Sequence, residues 1–73
     1  MDKTIFTKAH QELVGRLIKA RKAAKLKQTD VAKKLGRTQS YISKIEAGQR
    51  RVDTIQLNEF AAVYKKTLRY FTE

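Results

Sequence analysis

Apolar side chains recur along this chain at helical spacing, and no segment alternates with period two for long enough to make a strand. Leu13, Leu17, Ala20 and Ala24 fall on one side of a 3.6-residue helix, and Val14 and Ile18 widen the stripe. They predict a first helix over about 8–24, capped by Thr7. Gly15 sits inside it, either at a modest cost in helix propensity or as a point of close approach for another helix. A short second helix is predicted over about 28–35, with Val31, Ala32 and Leu35 facing inward. Gly36 follows, where a helix end favours a residue tolerant of positive φ. Thr38 offers a capping hydroxyl to a third helix over about 39–47, whose apolar face is Ile42 and Ile45 and which ends at Gly48. Asp53 caps a fourth helix, with Gln56 at the capping-box position and Leu57, Phe60, Ala61 and Tyr64 as its stripe. A last turn carries Leu68, Tyr70 and Phe71. The expected fold class is all-α: a compact bundle of about five short helices over residues 8–73, preceded by a loose arm over 1–7 with Ile5 and Phe6 as anchors.

Length leaves room for one domain of 73 residues, and a chain of this size buries only about 60% of its unfolded surface. There is no cysteine, so helix packing, aided by dimerisation, has to supply the stability. The absence of cysteine fits a reducing compartment. Residues 1–20 lack an uninterrupted apolar stretch and carry Lys3, Lys8 and Arg16, so no secretory signal is expected. No apolar run approaches the ~20 residues of a membrane span.

Charge changes the picture more. Seventeen Lys and Arg against seven Asp and Glu give a net charge of +10. So much like charge repels itself in a small fold, and a polyanionic partner is its natural explanation. Charge alone does not separate DNA from RNA or from an anionic membrane. No metal site is expected from one histidine and no cysteine. Ser40 and Ser43 lack a base to activate them, so no enzyme and no cofactor is expected. His10 reads as a surface residue at a helix start.

The two short helices joined at Gly36 form a helix-turn-helix signature, QTDVAKKLGRTQSYISKIEAG from Gln28 to Gly48. Ala32 is small where the two helices cross. The polar face of the third helix is Gln39, Ser40, Ser43 and Lys44, with no acidic residue, and suits base edges in a major groove. Gln both donates and accepts, which suits adenine, while Lys donates to guanine acceptors. Lys27, Gln28, Arg37, Thr38, Arg50 and Arg51 are the candidate phosphate contacts around it. Tyr41 either stacks on a neighbouring side chain or touches a phosphate; the sequence leaves both open.

The segment from about Leu13 to Phe71 resembles the Xre/Cro-like family of phage repressors and bacterial regulators. The likeness lies in the Gln28-x-x-x-Ala32 opening, Gly36, the Ile42-Ser43-Lys44-Ile45-Glu46-x-Gly48 run and the trailing apolar helix. It implies a lambda-repressor-like fold with the helix-turn-helix at helices 2 and 3. It also implies that Gln28 meets a DNA phosphate, that Gln39, Ser40 and Lys44 reach bases, and that a largely buried Arg21–Glu46 salt bridge braces the recognition helix. Lys25 stands where the family often has Gly, Lys27 where it has a Thr, Ser or Asn cap, and Lys65-Lys66 where it has Leu-Gly.

The expected function is a sequence-specific DNA-binding transcriptional regulator, in the sense of a repressor. It binds a pseudo-palindromic double-stranded operator as a homodimer in the bacterial or phage-infected cytoplasm, associated with the nucleoid. The candidate dimer interface is Tyr64, Leu68, Tyr70 and Phe71. Two other classes stay open. One is an antitoxin that holds a toxin protein through Phe6, Tyr70 or Phe71. The other is a non-specific nucleic-acid packer.

Overall fold

The computed structural model describes residues 7–73. Ile5, Phe6 and nearly all of the expected arm lie outside the described residues. Five helices follow one another: α1 (Lys8–Ala23), α2 (Gln28–Leu35), α3 (Gln39–Glu46), α4 (Thr54–Tyr64) and α5 (Leu68–Thr72). The described residues contain no strand.

Each helix starts where a side chain satisfies its first free N–H groups. Thr7, Thr38 and Thr67 accept through Oγ1 from the backbone N–H of His10, Tyr41 and Tyr70. Asp53 and Gln56 close a reciprocal capping box, with bonds of 2.8 and 2.9 Å. α2 is the exception, because Lys27 holds the cap position and an ammonium has no lone pair to accept with. Asp30 compensates: its carboxylate accepts the Lys27 N–H at 2.8 Å and places negative charge in the first turn, where the helix dipole favours it.

The helix ends share one device. At Lys25, Gly36, Gly48 and Lys65 the chain turns into the left-handed region, with φ of 60°, 66°, 75° and 57°. Each time the following N–H reaches back five residues, as from Leu26 to the Arg21 carbonyl and from Lys66 to the Ala61 carbonyl. Glycine adopts this conformation freely, but a lysine Cβ crowds its own carbonyl there. Lys25→Gly and Lys65→Gly are therefore each expected to raise stability by about 1 kcal/mol, or about 4–8 °C in melting temperature. Thermal unfolding followed by circular dichroism checks this; an unchanged or lowered midpoint contradicts it.

The core gathers one face of every helix: Val14, Leu17 and Ala20; Val31 and Ala32; Tyr41, Ile42 and Ile45; Leu57, Phe60, Ala61 and Tyr64; and Phe71. α2 packs on α3 and α4, while α1 packs on α3, α4 and α5. The molecule measures 30 × 25 × 20 Å.

Three expectations need correction, and one open alternative, at Gly15, is decided. Ala24 lies just past the end of α1 and is exposed rather than part of its stripe. A Cβ at Gly15 would meet nothing within 4 Å, so no helix comes close there and its role is local. His10 is half-buried, and its Nε2 is enclosed with no hydrogen-bond partner among the described residues. It lines a cleft between α1 and α5 together with Leu13, Arg16 and Phe71. Finally, Tyr64 and Phe71 are only 4% and 2% exposed, so they belong to the chain's own core rather than to a dimer surface. The reason is α5, which folds back over α1 and α4 and is pinned there by Arg16 donating to the Tyr70 carbonyl at 3.2 Å. Leu68 and Tyr70, half-buried against the same core, remain at the surface.

Candidate nucleic-acid interface

α3 is held from behind by one carboxylate. Glu46, its last residue, accepts from Arg21 Nε at 2.8 Å and from Arg21 Nη2 at 3.0 Å, a bidentate pair. Gln28 Nε2, at the start of α2, donates to the same carboxylate at 3.0 Å. Arg21 Nη1 bonds the Leu26 carbonyl in the α1–α2 loop at 3.0 Å. Glu46 thus ties α1, α2 and α3 together. The two charged side chains are only 14% and 7% exposed. The hydrogen bond to Glu46 is the main cause that raises the Arg21 pKa, against an opposing effect of burial. Nearby, burial pushes the Tyr64 hydroxyl well above the usual phenol range; Glu46 adds to this and Arg21 opposes it.

With Tyr41, Ile42 and Ile45 turned inward, α3 shows Gln39, Ser40, Ser43 and Lys44 to solvent. These positions repeat at i, i+1, i+4 and i+5, which places them on one face. The acidic residues near this face are engaged elsewhere: Asp30 and Asp53 cap helices, Glu46 holds Arg21, and Glu59 faces Arg37 at 3.7 Å. The exposed face of α3 therefore carries donors and positive charge without a competing carboxylate.

The candidate phosphate contacts divide. Lys27, Arg37, Thr38, Arg50 and Arg51 are exposed at the ends of α2 and α3 and in the loop that follows. Thr38 spends one oxygen lone pair on capping α3 and keeps its hydroxyl proton to donate. Gln28 is half-buried and its amide nitrogen is committed to Glu46. What remains for an anion is the second Nε2–H and the backbone N–H at the start of α2, one of the donors that a helix N-terminus leaves unpaired.

Three features were not legible beforehand. Gln28 joins the Arg21–Glu46 pair across three helices, a contact that no local spacing announces. Tyr41 stacks parallel to Phe60, and both Arg37 and Arg50 lie over its ring. The large apolar side chain exposed among the described residues is Ile55, 75% exposed in the first turn of α4, not one in the C-terminal segment. Only the Arg37–Tyr41 spacing of four carried a signal in the sequence.

Two short helices packed at Ala32, one presenting a polar cationic face and locked at its far end, define a helix-turn-helix DNA-binding domain. A family model described as helix-turn-helix matches residues 17–71, and the chain belongs to the Xre/Cro-like helix-turn-helix family. No curated protein and no solved structure matches it. The family is one of DNA-binding transcriptional regulators rather than catalysts, and the fold is lambda-repressor-like. No helix of the described residues is long and apolar enough to cross a membrane.

Proposed function

We propose that the chain is a sequence-specific repressor that lays α3 in the major groove of an operator, at the nucleoid of a bacterial or phage-infected cell. The carrying observation is the division of α3. One side is buried and locked by Glu46, and the other offers Gln39, Ser40, Ser43 and Lys44 with no acid among them. A helix that must hold polar groups within hydrogen-bond reach of base edges needs both properties. Lys27, Arg37, Thr38, Arg50, Arg51 and the start of α2 at Gln28 supply the sequence-independent grip.

One such helix reads only a few base pairs, so the active form is a two-fold dimer on a pseudo-palindromic site. Leu68 and Tyr70, at the surface of α5, are its contact residues in this reading. Self-repulsion between two +10 chains favours assembly on DNA over assembly in solution.

Selecting bound duplexes from a random pool tests this reading. The expected product is one enriched half-site repeated in inverted orientation about 10 base pairs apart, bound by two chains. Enrichment of a lone half-site with one chain per duplex rejects the dimer. No enrichment over random sequence rejects sequence-specific reading in favour of packing.

A further inference from the structure

Arg37 and Arg50 reach the same aromatic ring from different parts of the chain. Arg37 comes from the turn between α2 and α3, Arg50 from the loop between α3 and α4. Their guanidinium carbons lie 5.1 and 4.9 Å from the centroid of the Tyr41 ring. The ring itself is fixed from inside: Tyr41 is 8% exposed and lies within 3° of parallel to Phe60, with centroids 6.5 Å apart. Two like charges at one ring repel each other, and among the described residues only Arg37 has a carboxylate facing it. Glu59 faces Arg37 at 3.7 Å, beyond close hydrogen-bond range, and no carboxylate pairs with Arg50 among the described residues. Burial raises the Tyr41 pKa while both guanidiniums oppose that rise, as expected if they face the ring directly.

We infer that Tyr41 is the positioning residue of a two-arginine phosphate clamp: its ring presents Arg37 and Arg50 together to the DNA backbone beside the groove that α3 enters. This rests on the phosphate-contact reading given above. The attraction between a guanidinium and a ring face is to the charge and uses no N–H acceptor. The donors of both arginines therefore stay available for phosphate oxygens, which they meet in planar, paired geometry. An arginine held on a ring has also lost part of its rotamer freedom before DNA arrives, so less is lost on binding. The same contact ties the loop after α3 to α3 itself, so that the clamp and the base-reading face move as one body. Tyr41 does this from the core without touching the DNA.

The test measures binding by fluorescence anisotropy, on a selected duplex and a random duplex, across a salt series. Tyr41→Phe keeps the ring and is expected to match the unaltered protein. Tyr41→Leu fills the core without a π face and is expected to weaken binding to both duplexes by a similar factor, about 5- to 10-fold. It should leave base preference intact and flatten the salt dependence by up to about one ion. Tyr41→Met, read in the same way, replaces it if the leucine variant is not folded at the assay temperature. In an Arg37→Ala/Arg50→Ala background, Tyr41→Leu is expected to have no further effect. If the arginine variants leave affinity and salt slope unchanged, the phosphate reading itself fails. If they lower both while Leu, Met and Phe at position 41 bind alike, only the positioning role is overturned. A Tyr41→Leu loss that persists in the double-alanine background also overturns it, since the effect then belongs to the fold.

Discussion

Glu46→Ala is expected to lower the melting temperature by more than about 10 °C. The substitution strands Arg21, whose Nε and Nη2 both donate to that carboxylate in a site where the guanidinium is only 14% exposed. It also removes the acceptor of Gln28 Nε2. Breaking one side of a buried ion pair costs about 3–5 kcal/mol. Arg21 keeps its bond to the Leu26 carbonyl, so the lower end, about 3 kcal/mol, applies. A carboxylate at the C-terminus of α3 opposes the helix dipole, and its removal returns a few tenths of a kcal/mol, too little to change the outcome. For a domain of this size each kcal/mol moves the midpoint by about 4–8 °C. Glu46→Gln keeps an acceptor and loses the charge, so it should fall between the two. A Glu46→Ala midpoint within about 2 °C of the unaltered protein would show that the pair does not brace the fold.

Gln39→Ala and Lys44→Ala are expected to reduce affinity for a selected site by about 5- to 150-fold each, as for about 1–3 kcal/mol per lost base contact. Both side chains are exposed, so stability should change by less than about 0.5 kcal/mol. The two losses should differ in kind. Gln39→Ala carries no charge change and should leave binding to random DNA as it was. Lys44→Ala removes a cation and should weaken random binding slightly as well. In repeated duplex selection each variant should relax preference at its own base position. Retention of full affinity and unaltered preference by both variants would remove α3 as the reading element.

Much of this was readable from residues within four positions of one another. Thr7, Thr38 and the Asp53–Gln56 pair announced helix starts, and the structure shows each accepting or exchanging the bonds its spacing suggests. Gly36 and Gly48 marked helix ends. Lys25 and Lys65 take the same left-handed turn although a lysine is locally unfavourable there and no spacing marks it; only the resemblance pointed to Lys25, where the family often has Gly. The polar face of α3 was legible for a simpler reason: Ile42 and Ile45 fix which side of the helix is buried, and the polar residues take the other.

By itself, then, the sequence determined the helices, their order, their apolar faces and the polar side of α3. Each of these follows from periodicity and capping, which act along the chain. Tertiary structure alone decided which large side chains are consumed internally. Folding of α5 against α1 and α4 buries Tyr64 and Phe71 and leaves Leu68 and Tyr70 as the surface of the C-terminal segment. It also decided that Gln28 spends its amide on Glu46, eighteen residues away, and that Tyr41 turns inward to Phe60 while receiving Arg37 and Arg50. These contacts join distant segments. Their geometry depends on how helices cross and on what volume remains between them, and no local spacing encodes either.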